Sequence, residues 1–121
     1  MAVKESIIQT KSFDFALKII KFYKHCLDQN EYLLSKQLVR SGTSIGANIE
    51  EATAAQSKKD FIAKMSISSK EARETRYWLK LFSESELIEY DFTSYLNDIE
   101  KIINILTAIV KTSQQKIMDN D

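Results

Sequence analysis

The sequence predicts an all-α protein, an antiparallel up-down-up-down four-helix bundle. Apolar residues recur at spacings of four and three along most of the 121 residues, and no segment alternates as a β-strand does. The chain contains no proline and only two glycines, so few residues interrupt a helix. The connections between the periodic segments are short, which makes consecutive helices antiparallel neighbours. We therefore expect a single domain over residues 1–121.

The first helix is predicted over about 12–27, with Ser12 as its N-cap and Asp14 in its first turn. Two apolar rows share this helix, each spaced as one helix face requires. The row predicted to face the core consists of Phe13, Leu17, Ile20 and Leu27. The second row lies well round the helix, and we favour a subunit interface over a generously buried face for it. Its members are Phe15, Ile19, Phe22 and Cys26.

The second helix is predicted over about 30–55, and its apolar row continues through Gly42 and Gly46 without a break. Two small residues four apart allow another backbone to approach one helix face closely. A glycine-rich loop that binds an anion is the alternative. That alternative is disfavoured because no strand precedes the motif, and Ala47 follows Gly46 where a phosphate-binding loop has lysine.

The third helix is predicted over about 58–83, where Ser57 and Asp60 resemble a capping box. Its core row is predicted to be Phe61, Met65, Ser68, Ala72, Thr75, Leu79 and Phe82. The fourth helix is predicted over about 91–112, with residues beyond Thr112 fraying. Its core row is predicted to be Phe92, Leu96, Ile99, Ile103, Leu106 and Val110. Additional apolar residues on this helix are interface candidates, namely Ile102, Ile105 and Ile109.

Composition excludes several classes of protein. Seventeen basic and seventeen acidic residues give a net charge of zero, which disfavours a bulk electrostatic nucleic-acid binder. No apolar run approaches the length that crosses a bilayer, so we expect no membrane association. The single cysteine, Cys26, cannot form an intrachain disulfide and suits the cytoplasm, where we expect the protein to reside.

Catalysis is not expected from the residues present. His25 is the only histidine, so the chain lacks a histidine pair for zinc or a di-iron site. No serine, threonine or cysteine has a recognisable base partner. We therefore predict no enzymatic activity, no metal, no cofactor and no small-molecule substrate.

A buried polar network is predicted where the second and third helices meet. Asn48 lies on the apolar row of the second helix, where a polar residue can fix register. Arg40 lies near the same face, and a charge near the core needs a partner. Glu71 and Glu74 on the third helix are the predicted partners. The expected role of this network is structural specificity.

Basic side chains on the first and third helices are candidates for nucleic-acid contacts. For the charge pattern as a whole we favour a solvated helix face followed by an acidic turn and an acidic helix start in 81–100. The alternative is that the two ends of the molecule differ in sign. The candidates are Lys18, Lys21, Lys58, Lys59, Lys64, Arg73, Arg76 and Lys80.

Three segments resemble a known family: residues 40–52 (RSGTSIGANIEEA), 57–62 (SKKDFI) and 70–79 (KEARETRYWL). They are similar to the four-helix-bundle proteins encoded in intervening sequences of bacterial 23S ribosomal RNA, often labelled S23 ribosomal protein. This resemblance implies antiparallel bundles that assemble as homopentamers. A relative of that family is the accessory variability determinant of diversity-generating retroelements, a pentamer that binds nucleic acid and a reverse transcriptase through a basic surface. The neutrality of this chain departs from that relative.

The expected function is that of a non-enzymatic, homo-oligomeric scaffold, with RNA or a ribonucleoprotein as its leading partner by family analogy. The alternative is a nucleic-acid-binding accessory protein that uses the basic residues of the first and third helices, with a reverse transcriptase-like partner. The two differ in whether those residues converge on one face and whether binding weakens steeply with salt.

Overall fold

The computed structural model of the chain describes residues 3–120, which form four helices. They are α1 (Val3–Asp28), α2 (Leu34–Thr53), α3 (Lys58–Ser85) and α4 (Thr93–Asn120). α2 packs against α1 and α3, and α4 packs against α3 and α1. Within residues 3–120 the backbones of the diagonal pairs, α1 with α3 and α2 with α4, do not approach each other. This arrangement confirms the predicted all-α four-helix bundle.

α1 begins at Val3, nine residues before the predicted start at Ser12. Ser12 is buried in the middle of the helix, and its hydroxyl donates to the carbonyl oxygen of Gln9 at 3.1 Å. The predicted N-cap role of Ser12 is therefore wrong. Ile8 explains the extension, because it is fully buried one turn before Ser12 and continues the core row of α1 upstream.

The connection between α1 and α2 is longer than predicted, because Glu31 fixes where α2 begins. Asn30 adopts a left-handed conformation with φ of 61°, which ends the α1 geometry. The Glu31 carboxylate then accepts the backbone N–H groups of Leu33, Leu34 and Ser35 at 3.0, 2.9 and 2.8 Å. These donors have no partner inside a helix, so the carboxylate sets the helix start at Leu34 rather than near residue 30.

The start of α3 agrees with the sequence pattern, since the Ser57 hydroxyl accepts the Asp60 N–H at 3.1 Å. α3 continues to Ser85 and ends where Glu86 turns left-handed. α4 begins at Thr93, whose N–H donates to the Asp91 carboxylate at 3.0 Å. It then runs to Asn120, past the predicted end at residue 112.

The core of α1 is the row that was predicted to be a subunit interface. Phe15, Ile19 and Phe22 are at most 2% exposed and lie inside the bundle, so their prediction as interface residues is wrong. The row that was predicted to face the core is exposed instead. We call it the α1 outer stripe, and it comprises Phe13, Leu17, Ile20 and Leu27.

An aromatic cluster explains which row α1 buries. The ring of Phe22 lies 5.1 Å from the rings of both Phe82 and Phe92 and 4.7 Å from that of Tyr90, in tilted or edge-on geometries. Aromatic pairs in such geometries contribute beyond their buried area. Because these partners come from α3 and from residues 90–92 before α4, they select Phe22 and its row for the interior.

On the other helices the predicted core rows are buried or half-buried. Ile102 and Ile109 of α4 join them at 1% and 3% exposure, so these two predicted interface residues also lie within the core of one chain. Ile105 is half-buried. Within residues 3–120, none of the four helices combines the length and the hydropathy that a membrane span requires.

Candidate interaction surfaces

Gly42 and Gly46 lie inside α2 and face α1. A Cβ atom built at Gly42 would lie 3.0 Å from Cγ2 of Ile19, and one at Gly46 would lie 3.4 Å from the Ser12 hydroxyl. Neither glycine has a positive φ. The geometry matches close helix packing, the use that the sequence favoured, rather than a loop that points N–H groups at an anion.

The predicted polar network is present in part at the surface between α2 and α3. The Arg40 guanidinium contacts the carboxylates of both Glu71, at 3.4 Å, and Glu74. The Trp78 indole N–H also donates to Glu74, at 2.9 Å. Asn48 does not belong to this network, because its amide donates to the carbonyl oxygen of Ser44 within α2.

Hydroxyl groups inside the α2–α3 interface form a second polar contact that sequence reasoning missed. Thr75 and Ser41, both fully buried, are joined by a hydrogen bond of 2.9 Å. The buried Ser68 hydroxyl donates to the carbonyl oxygen of Ile45 at 2.8 Å. The sequence could have indicated these contacts, because all three hydroxyl residues occupy core positions in the rows of α2 and α3, where a buried polar group needs a hydrogen-bond partner.

Three of the residues that were predicted to contact nucleic acid form ion pairs within the chain. Lys18 pairs with Asp98 at 2.6 Å and lies 4.5 Å from the centre of the Tyr95 ring, which ties α1 to α4. Lys64 pairs with Glu51 at 3.1 Å. Arg76 pairs with Glu100 at 2.8 Å. These cations are partly neutralised by their acidic partners.

The other five candidates are exposed and lie on two helices. Lys21 is on α1, and Lys58 and Lys59 begin α3. Arg73 donates to the Thr107 hydroxyl of α4 at 3.4 Å, and Lys80 lies further along α3. Because α1 and α3 occupy diagonal corners, the candidates of the two helices do not share one face of the chain.

An apolar groove runs between α1 and α2 beside the α1 outer stripe. Its volume is about 290 Å³, and its lining includes Phe13, Leu17, Ile20 and Gly46. Phe13, Leu17 and Ile20 are 64%, 53% and 41% exposed. A smaller apolar hollow of about 230 Å³, which we call the α1/α4 dimple, is lined by Ile7, Asn104, Ile105 and Ala108.

A hollow of about 490 Å³ lies at the end of the bundle where α2 joins α3. Its lining mixes Glu5, Lys58 and Lys116 with Phe61 and small polar residues. Among residues 3–120, no group of three or more histidine, cysteine, aspartate or glutamate side chains could hold a metal ion. Cys26 is buried, and burial, with the nearby Glu31 charge, raises the pKa of its thiol to about 12.

The chain matches one family model and is similar to a solved protein structure. The family model described as 23S rRNA-intervening sequence protein matches residues 4–108. The chain is also similar to a crystal structure of a protein with unknown function from the S23 ribosomal protein family of Bacteroides thetaiotaomicron VPI-5482. That match has 46% sequence identity and a TM-score of 0.86, and covers 90% of this chain and 99% of that one. No curated protein matches the chain.

Proposed function

Because the chain belongs to the 23S rRNA-intervening sequence protein family, we propose that it is a homo-oligomeric scaffold, which acts through contacts rather than catalysis. Family membership accounts for the bundle but brings no activity with it, since the solved relative is itself described as a protein of unknown function. The surface of the molecule supports the proposed scaffold role, and the observation that carries it is the α1 outer stripe.

The α1 outer stripe has the character of a contact surface. Its residues span 14 positions of α1, or about 21 Å, and three of them are more than 40% exposed. Large exposed apolar side chains grouped on one helix face mark an interaction site more often than a solvated face. The groove beside the stripe, with Gly46 in its lining, adds a concave surface that can receive an apolar side chain.

A second copy of the chain is the occupant that we propose for this surface. Closed rings form when one patch on a subunit meets a different, complementary patch on the next. The α1/α4 dimple supplies that second patch, since Ile7 is 42% exposed and Ile105 is half-buried beside it. The family resemblance implies a pentamer. The α1 outer stripe of one copy would then cover the dimple of its neighbour.

Light scattering coupled to size-exclusion chromatography tests this proposal. The unmodified protein is expected at about 70 kDa, which is five times the 14.0 kDa of one chain. The double variant Leu17→Glu, Ile20→Glu is expected at 14.0 kDa with unchanged helical circular dichroism, because both side chains are exposed in the single chain. Ile105→Glu is expected to lower the mass as well.

Lys21→Glu is the matched control. It changes the net charge by the same two units as the double variant, at an exposed position of α1 outside the stripe. Its mass should equal that of the unmodified protein. A folded Leu17→Glu, Ile20→Glu variant with undiminished mass would exclude the stripe from the interface. An unmodified protein of 14.0 kDa at micromolar concentration would overturn the scaffold proposal.

The alternative, a nucleic-acid accessory protein that uses α1 and α3 together, has less support. Lys18 is held by Asp98, while Lys64 and Arg76 are held by acids on α2 and α4. The remaining candidates on α1 and α3 point from opposite corners of the bundle. One strand of nucleic acid cannot follow both helices of a single chain without crossing a neighbouring helix.

A further inference from the structure

The outward face of α3 carries a straight row of exposed residues directly opposite its core row. Successive members are four or three positions apart, so they form one line along the helix. All are exposed except Ser66, which is half-buried. We call this row the α3 outer stripe, and it comprises Lys59, Ala63, Ser66, Lys70, Arg73, Tyr77, Lys80 and Glu84.

Half of this stripe is cationic, and ion pairs within the described residues do not neutralise its charge. Among residues 3–120, no ion pair includes Lys59, Lys70, Arg73 or Lys80. Arg73 makes one long hydrogen bond to Thr107, which leaves its other N–H donors available. The one acid in the stripe, Glu84, lies at its C-terminal end. The stripe is therefore positive on a chain of zero net charge.

α4 adds a fifth cation beside the stripe. Thr107 and Glu100 both face α3, because they contact Arg73 and Arg76. Lys111 is exposed and lies four residues after Thr107, so it occupies the same side of α4. Since α3 and α4 run antiparallel, Lys111 comes level with the Lys70 region of the stripe.

Tyr77 interrupts the cations with an exposed aromatic ring. It follows Arg73 by four residues, precedes Lys80 by three, and is 56% exposed. Its contact with Trp78 is edge-on, with ring centres 5.2 Å apart and planes at 70°, so much of its stacking surface stays open. An exposed aromatic between cations is the arrangement that binds single-stranded nucleic acid, through base stacking beside phosphate contacts.

We infer that the α3 outer stripe, together with Lys111, binds single-stranded nucleic acid. The cations from Lys59 to Lys80 extend over about 31 Å, which suits a linear polyanion, and Tyr77 would stack one base. A lipid surface fits less well, because the stripe contains no large aliphatic side chain to enter a bilayer interface. The inference does not depend on assembly, since a single chain carries the whole stripe.

Fluorescence anisotropy with a labelled 20-nucleotide oligouridylate tests this inference. The variant Lys70→Gln, Lys80→Gln, Arg73→Gln is expected to bind at least tenfold more weakly than the unmodified protein at 50 mM salt. Its slope of log affinity against log salt should fall by about two, because each lost phosphate contact removes roughly 0.7.

The matched control is Lys11→Gln, Lys21→Gln, Lys36→Gln, which removes three exposed charges from α1 and α2. Its affinity is expected to stay within about threefold of that of the unmodified protein. Equal losses of affinity in the two triple variants would show that binding depends only on total charge, and would overturn the inference. The absence of binding by the unmodified protein at 50 mM salt would also overturn it.

A second pair of variants tests base stacking. Tyr77→Ala is expected to weaken oligouridylate binding by about fivefold or more with an unchanged salt slope, whereas Tyr77→Phe keeps the affinity. A 20-base-pair duplex should be insensitive to Tyr77→Ala, because its bases are already stacked. Equal affinity of Tyr77→Ala and the unmodified protein for the oligouridylate would exclude the stacking role.

Discussion

Gly42 and Gly46 are alike in the sequence but meet different surroundings. At Gly42 an added Cβ would press on two side-chain carbons of the fully buried Ile19, at 3.0 and 3.1 Å. At Gly46 it would meet Ser12 at ordinary contact distances of 3.4 Å or more. Ile19 cannot move away cheaply, because close-packed interiors transmit such shifts to their neighbours.

Gly42→Ala and Gly46→Ala are therefore expected to change stability in opposite directions. Alanine gains about 0.5–1 kcal/mol over glycine inside a helix, and at residue 46 nothing offsets that gain. At residue 42 overpacking costs about 1–3 kcal/mol, which exceeds the gain. Urea denaturation followed by circular dichroism measures both changes. Equal stabilisation by the two substitutions would contradict the close approach of α1 at Gly42.

Glu31 acts as the cap of α2 although it lies three residues before the helix. Partial burial favours the neutral form of its carboxyl group, but hydrogen bonds from Leu34, Ser35 and Leu33 prevail and lower the pKa of Glu31. A carboxyl group whose pKa is lower in the folded state stabilises the fold above its ordinary pKa of 4.5. That contribution is lost as the pH falls through the folded-state pKa.

Glu31→Gln is expected to cost about 1 kcal/mol of unfolding free energy at pH 7, the usual worth of a helix cap. The difference from the unmodified protein should narrow as the pH falls below 4.5, the ordinary pKa of the carboxyl group. Thermal unfolding across pH 3–7 measures the narrowing, with the exposed Glu89→Gln as control. A difference that does not change with pH would exclude the charged cap.

At the scale of the helix, α1 shows how far the sequence determines the fold. The core rows of α2 and α3 could be predicted, because one apolar row dominates each helix. On α4 the predicted row is buried or half-buried, but Ile102 and Ile109 join it in the core. α1 carries two rows with the same spacing, so periodicity alone could not choose between them. The choice depends on Phe82, Tyr90 and Phe92, which lie far along the chain and surround Phe22 only after folding.

The polar contacts between α2 and α3 were predictable to a similar degree. Arg40 needed acidic partners, and the facing helix offered Glu71 and Glu74. Asn48 was misassigned because a carbonyl oxygen one turn earlier on its own helix satisfies its amide. The boundaries were harder to predict, since the Glu31 cap uses a residue type that usually appears inside the first turn of a helix.

Phe22→Ala and Phe13→Ala test which face of α1 is the core. Phe22→Ala is expected to cost about 3–5 kcal/mol of unfolding free energy, as for other buried phenylalanines. Phe13→Ala should cost less than about 1 kcal/mol, because Phe13 is 64% exposed in the single chain. Chemical denaturation in the Leu17→Glu, Ile20→Glu background separates folding from assembly. A larger loss of unfolding free energy for Phe13→Ala than for Phe22→Ala would show that the α1 outer stripe, and not the Phe22 row, faces the core.

On the scale of the whole molecule, charge is distributed unevenly although the total is zero. The α3 outer stripe is cationic, and residues 81–100 carry acids without a lysine or arginine. A local field of this kind can steer a charged partner at close range, while screening hides it beyond about 10 Å at ordinary salt. Neutrality of the whole chain therefore does not exclude a charged contact surface.

The diagonal placement of α1 and α3 separates the residues proposed for assembly from those proposed for nucleic-acid binding. The two outer stripes lie on helices whose backbones do not contact each other, so a substitution on one stripe should leave the property that depends on the other stripe unchanged. Combining the Leu17→Glu, Ile20→Glu pair with the Lys70→Gln, Arg73→Gln, Lys80→Gln set measures the coupling directly. If the coupling is near zero, substitutions during evolution could change the nucleic-acid-binding surface without changing assembly, because different residues determine the two properties.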